Sequence, residues 1–148
     1  MSILDQLEAG RTTSSMEETM AAAEVFARYF PENETLKLSG SLGAGKTTFV
    51  KGLARGWGIR DVVTSPTYNL YSIYRGVRQL IHFDAYRITE PREAAELLIE
   101  EFLEPPFCLA IEWPENSGNW LAPGGWQIHF SIGPDQKRHL RLTIDTDK

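Results

Sequence analysis

Cysteine is almost absent from this chain of 148 residues: Cys108 stands alone, which excludes an intrachain disulfide and points to a reducing compartment. No apolar run is long enough to span a bilayer. The opening MSILDQLEAG has neither the basic start nor the apolar stretch of a secretion signal, so a cytoplasmic protein without a targeting segment and without membrane contact is expected. Lysine is sparse, confined to Lys37, Lys46, Lys51, Lys137 and Lys148. None of them stands in the N/T-K-x-D pattern that reads guanine, and no D-x-x-G follows an apolar strand. Both absences argue against a conventional small GTPase, and the glycine-rich signature of transporter ATPases is missing too. Positive charge is outweighed, with 15 Lys and Arg against 20 Asp and Glu and a formal charge of −5. That balance argues against gripping nucleic acid alone by counterion release, while leaving room for RNA reached through a partner. Three scattered histidines supply no full metal ligand set.

What is present is enough for a core. Apolar residues make up 42% of the chain and charged ones of both signs 24%, which suits a single domain over residues 1–148 without repeats or linkers. Residues 1–13 read as a mobile or loosely docked lead-in. Ser15 and Glu18 fit a capping box, and Met16, Met20, Ala23, Ala27 and Phe30 recur at helical spacing over about 15–30, with Pro31 as the stop. ETLKLSG (34–40) alternates as a strand. Phe49, Val50, Leu53, Ala54 and Trp57 share one helical face that ends near Gly58.

Two strands around Arg75–Gly76 follow, the second ending near Asp84. Thr89 is placed to cap a helix running through Leu103, with Pro91 in its first turn and Ala94, Leu97, Leu98 and Phe102 inward. The acidic run EAAELLIEEF within it reads as a solvated helix face. FCLAIEW (107–113) is nearly all apolar, as a buried parallel strand is. WQIHFSI and RHLRLTI close the chain as an antiparallel hairpin around Gly133–Pro134. Helices alternating with strands predict an α/β layered fold.

Gly40-Ser41-Leu42-Gly43-Ala44-Gly45-Lys46-Thr47 matches G-x-x-x-x-G-K-[ST] without departure. Glycines let the backbone turn its N–H groups inward at anionic oxygens, and the helix behind offers its positive end. The backbone from Ser41 to Thr48 is therefore expected to bind nucleotide. Lys46 would neutralise β/γ oxygens, and Thr47 would give a hydroxyl to magnesium. The alternative, a glycine-rich turn matching by chance, is weakened by the strand before it and the helix after it. By elimination the base expected is adenine.

Magnesium chemistry also needs carboxylates. Glu112 ends the buried run CLAIE, where the acid partner of a phosphate loop belongs; a plain solvent-facing acid is the alternative. Asp84, in HFDAYR, is the second candidate and could equally cap a turn. His82, Asp84 and Tyr86 share a face if the strand is regular, and His82 itself reads as a packed or hydrogen-bonded histidine. Trp113, one of four tryptophans, reads as core on composition alone. SPTY (Ser65, Pro66, Thr67, Tyr68) is turn-like and sits where a nucleotide-sensing loop could lie.

Together GSLGAGKTT, SPTYNL, HFDAYR and IEWPE, in this order and spacing, resemble the TsaE (YjeE) family over about residues 15–144. The last three motifs are far more specific than the phosphate loop. Tyr68 is a mild variant at a position where phenylalanine is also common. The resemblance implies a P-loop NTPase-like fold with a mostly parallel central sheet flanked by helices. It implies a weak ATPase, stimulated by partners, that takes ATP or ADP with magnesium. It implies work beside TsaB and TsaD, which load threonylcarbamoyl onto the adenosine next to the anticodon, with tRNA reached through that complex. Lys46 and Thr47 match the family's phosphate and magnesium residues, Asp84 and Glu112 its functional acids, Trp113 its functional tryptophan, and Ser65 to Tyr68 a switch-like loop.

Two other classes stay open on the residues alone. A small-molecule kinase could use Arg75, Arg78, Arg87 and Arg92 to clamp an acceptor's phosphate, although no insert offers a lid. A nucleotide-gated binder would order SPTY without needing turnover.

Overall fold

The computed structural model describes residues 1–66, 70–117 and 125–145. Seven strands form one sheet in the order β1-β7-β6-β2-β5-β4-β3. Its centre is parallel: β2 (Glu34–Gly40) lies between β5 (Phe107–Glu112) and β6 (Trp126–Ile132), and β4 (Gln79–Asp84) flanks β5. The edges are antiparallel: β3 (Tyr71–Arg75) on β4, and β7 (Arg138–Ile144) on β6. The expected C-terminal hairpin is therefore present, and its first strand also completes the parallel centre.

Strand alternation divides the core. Leu36, Leu38, Ala110, Ile128 and Phe130 face helices α2 (Met16–Ala27) and α3 (Lys46–Gly56), where Phe26, Phe49 and Leu53 are fully buried. Ile81, Phe83, Leu109 and Ile111 face the other way onto Ile88, Ala94 and Ile99. Each of the leucine, isoleucine and phenylalanine side chains contributes about 1.5–3 kcal/mol on leaving water. The α3 face agrees with the sequence pattern at all five positions, Phe49, Val50, Leu53, Ala54 and Trp57. The two helices pack closely through small residues. A Cβ added at Gly52 would sit 2.5 Å from Ala23 Cβ, and one at Gly56 would sit 2.8 Å from Ala27 Cβ.

Three local expectations are corrected. Residues 1–13 are docked: α1 (Ile3–Ala9) buries Ile3 and Leu7, Ser2 and Asp5 close its capping box, and β1 (Arg11–Thr13) pairs with β7. In α2, Ser15 caps through Glu18 N as expected, but Glu18 reaches back to Ser14 N rather than to Ser15. The buried face carries Thr19, Ala22, Ala23, Phe26 and Ala27, so Met16 is exposed.

The helix expected over 89–103 is broken. Glu90 caps α4 (Pro91–Glu96), Leu98 turns left-handed at φ 52, and a 3₁₀ turn follows at Ile99–Phe102. Ile99 is thereby buried, while Leu98 and Phe102 are exposed. Gln79 holds the end of this segment, donating to Phe102 O at 2.9 Å and accepting from Glu104 N at 2.9 Å. No helix of the described residues is long and apolar enough to cross a membrane.

Candidate functional site

The site lies where β2, β4 and β5 end together, under the N-terminus of α3. Gly40 leaves β2 at φ 122, and a Cβ there would collide with the carbonyl of Phe130 on β6, so only glycine fits. Ser41 N then bonds Phe130 O at 3.2 Å, and Ala44 N closes back on Ser41 O at 3.2 Å. Gly45, left-handed, is the N-cap of α3, and no side chain caps that helix. The first-turn amides of Lys46, Thr47 and Thr48 lie ahead of the first carbonyl that an α-helical bond could reach. They point with the positive end of the helix dipole.

Lys46 is nearly buried. Its Nζ donates to Gly40 O at 2.8 Å and Ser41 O at 2.7 Å, and lies 4.4 Å from the centre of the Trp113 ring. Burial lowers its pKa, opposed by the carboxylates of Glu112, Glu115 and Asp84. Asp84 and Glu112 are register partners on β4 and β5. Burial raises the Asp84 pKa. The Tyr86 N–H, 2.9 Å from Oδ1, pulls the other way, and the neighbouring Glu112 charge adds to the rise. Thr47 Oγ1 donates to Glu112 Oε2 at 2.8 Å. Thr47 has a single hydroxyl hydrogen, so Ser65 must be the donor in its 3.1 Å contact with Thr47.

Trp113 follows Glu112 in a left-handed conformation, φ 58. Its backbone N–H donates to Leu38 O at 3.1 Å, and its ring lies 5.0 Å from that of Tyr86. Half-buried, it packs against the core cluster around Ile111 and also borders the cavity.

These groups line a cavity of about 630 Å³, a size suited to a small-molecule ligand. Leu42, Gly43, Gly45, Lys46, Thr47, Thr48, Ser65, Asp84, Glu112 and Trp113 all border it. Ser41 and Ala44 do not: Ala44 is fully buried, and Ser41 borders a second depression that shares Trp113 with the cavity. Thr67 and Tyr68 lie outside the described residues. None of Arg75, Arg78, Arg87 and Arg92 lines the cavity. Arg75 pairs with Glu104, Arg92 with Glu90, and Arg78 donates to the carbonyls of Phe30 and Pro31.

Residues that sequence reasoning missed come from both ends of the chain. Thr13 to Met16 and Thr19 enter from the end of β1 and the start of α2, and Gln136 and Arg138 from the β6–β7 turn and the first residue of β7. Nothing in their local sequence marks them; the sheet order brings them there. His82 is hydrogen-bonded, as its reading expected, but its partner is Glu112 itself, 2.6 Å away.

The model of a family described as "Threonylcarbamoyl adenosine biosynthesis protein TsaE" matches residues 13–140. The tRNA threonylcarbamoyladenosine biosynthesis protein TsaE of Bacillus subtilis is 36% identical over 132 residues, 88% of this chain and 82% of that protein. The protein of the same name from Treponema pallidum is 38% identical over 128 residues, 86% of this chain and 95% of that one. The crystal structure of Bacillus subtilis YdiB superposes with a TM-score of 0.74 at 34% identity, covering 91% of this chain and 84% of that one. With the phosphate loop, the strand-end acids and the sheet in place, the chain belongs to the TsaE family of tRNA threonylcarbamoyladenosine biosynthesis proteins.

Proposed function

We propose that the chain binds ATP with magnesium and hydrolyses it, and that this turnover supports the modification of tRNA by a TsaB–TsaD complex in the cytoplasm. The observation that carries the proposal is the 2.8 Å bond from Thr47 to Glu112, beside a lysine whose ammonium rests on its own loop's carbonyls. Lys46 is thereby held where an anion could replace those carbonyls.

The residues suit magnesium and a polyphosphate. The uncapped amides of α3 take phosphate oxygens, and Thr47, Glu112 and Asp84 offer hard oxygen donors. Among the described residues no group of three or more His, Cys, Asp or Glu could hold a metal alone, so phosphates would complete the shell. Magnesium, when bound, neutralises charge on the phosphate oxygens. Lys46 and the loop amides position the β/γ phosphates. Asp84 and Glu112 would hold the metal through water or orient the attacking water. Trp113 closes one wall. Phosphoryl transfer asks for little beyond such positioning and charge stabilisation.

The test is ATP turnover by the purified chain, alone and with the cognate TsaB–TsaD pair. Slow turnover that rises with the pair is expected; a rate the pair leaves unchanged detaches the chain from that machine. Lys46→Ala should lower turnover in the assembled complex by about 10²–10³-fold, the scale of a lost transition-state donor. Normal hydrolysis by that variant overturns the mechanism.

One contact favours a second reading, in which nucleotide gates partner binding without essential turnover. Ser65, in the switch-like segment, donates to the same Thr47 hydroxyl that would serve the metal. Ligand binding there would compete with the loop's hold. A non-hydrolysable ATP analogue that sustains many cycles of tRNA modification would select this reading.

A further inference from the structure

His82 sits on β4, two residues before Asp84, fully buried. Its Nε2 is 2.6 Å from Glu112 Oε2, the same oxygen that accepts the Thr47 hydroxyl. A carboxylate oxygen can only accept, so Nε2 carries a proton. The other nitrogen, Nδ1, has no hydrogen-bond partner; among the described residues it is the one buried side-chain nitrogen or oxygen so left. Buried polar atoms are paired with few exceptions, and each exception asks for a reason. Packing alone supplies none here. The strand neighbours of His82 in register are Ala110 and Ser72, and the same face of β4 carries Leu80. An aliphatic side chain would suit that place without an orphaned atom.

We propose that His82 is a positioning residue. Its Nε2–H holds the Glu112 carboxylate, which in turn holds the Thr47 hydrogen and leaves for a metal the hydroxyl lone pair that Ser65 does not occupy. Two donors thus converge on one oxygen, His82 from β4 and Thr47 from α3. The orphaned Nδ1 is the cost of using a ring that reaches Glu112 from inside the sheet. This rests on reading Thr47 and Glu112 as residues of a magnesium–nucleotide site.

The experiment measures ADP affinity with and without magnesium, together with thermal unfolding of the nucleotide-free chain. Wild type, His82→Leu, His82→Gln and His82→Asn are compared. The amide nitrogen of glutamine can occupy the place of Nε2, and that of asparagine only the place of Nδ1. Wild type should bind ADP more tightly with magnesium. His82→Leu should lose about 10- to 100-fold of that magnesium-dependent affinity, as disturbed outer-sphere groups do. Its affinity without metal should hold, and so should its melting temperature, because a lost hydrogen bond and a removed orphan oppose each other. His82→Gln should regain most of the magnesium effect, and His82→Asn should not.

The proposal is overturned if His82→Leu keeps the full magnesium effect, if glutamine rescues no better than asparagine, or if metal-free affinity falls equally. Should the leucine variant fail to fold, the glutamine–asparagine pair decides. If wild type itself gains nothing from magnesium, the reading of Thr47 and Glu112 fails and takes this proposal with it. A wild-type gain that survives in His82→Leu overturns the His82 role alone.

Discussion

Asp84 borders the cavity at the expense of the fold. Burial and the charge of Glu112 hold its pKa above the ordinary value, and only the Tyr86 amide, His82 and Lys46 oppose them. A raised carboxylate pKa means that ionisation is harder in the folded chain than in the unfolded one. The group therefore costs nothing below its ordinary range and costs increasingly as pH rises through the raised folded value. Asp84→Asn keeps an oxygen for the Tyr86 N–H and removes the charge. In urea titrations of the nucleotide-free chain, this variant should be more stable than wild type at neutral pH, by on the order of 1 kcal/mol. The gap should close as pH falls below the ordinary aspartate range, and ATP turnover should drop at every pH. A variant less stable than wild type at pH 7 would show that Lys46 and His82 outweigh burial. Sequence could place Asp84 at a strand end but left it even between turn cap and ligand. The structure shows the turn cap, Tyr86 N–H on Asp84 Oδ1 at 2.9 Å, and it also sets Asp84 in register with Glu112 beside the cavity, a long-range pairing with no local signature.

Elements were legible where their pattern was uninterrupted. α3 shows a clean 3.6-residue period from Phe49 to Trp57 and folds as that period dictates. β5 is a bare apolar run and is buried between two parallel strands. The segment after Thr89 has an equally plausible helical pattern, yet it breaks at Leu98, because Gln79 on β4 ties down Phe102 and Glu104. A tertiary contact from elsewhere in the chain overrides propensity there. The packing of α2 on α3 supports a prediction at this scale. Gly52→Ala should gain roughly 0.5–1 kcal/mol from helix propensity. The added methyl, however, meets both Ala23 Cβ and Met20 O at 2.5 Å, and overpacking of that kind costs about 1–3 kcal/mol. The clash should win, giving a net loss of about 1–2 kcal/mol in urea unfolding. Nucleotide affinity should fall with it, because Met16 and Thr19 at the start of α2 line the cavity. A stabilised variant would mean that the two helices can part without strain.

At the scale of the whole molecule, the cavity joins the two ends of the chain. The phosphate loop and its acids come from the middle, and their motif order made that half of the site readable. The rest, Thr13 to Thr19 on one side and Gln136 and Arg138 on the other, is assembled because β7 returns beside β6 and β1 pairs with β7. No spacing rule announces such a meeting, and the first thirteen residues read as a loose lead-in for the same reason: their strand partner β7 is more than a hundred residues away. Removing residues 1–10 tests how far that docking matters. Ile3 and Leu7 would leave a buried setting, and Arg141 would lose the carbonyls of Glu8 and Ala9. Two buried aliphatic side chains alone are worth about 3–6 kcal/mol. A lower urea midpoint is therefore expected, together with weaker ADP binding, because the deletion frays β1 and loosens the Thr13–Ser15 wall of the cavity. ADP at saturating concentration should recover part of the stability by mass action. If the shortened chain unfolds at the wild-type midpoint and binds ADP as tightly, α1 is an ornament on the edge of the sheet and the site is complete without it.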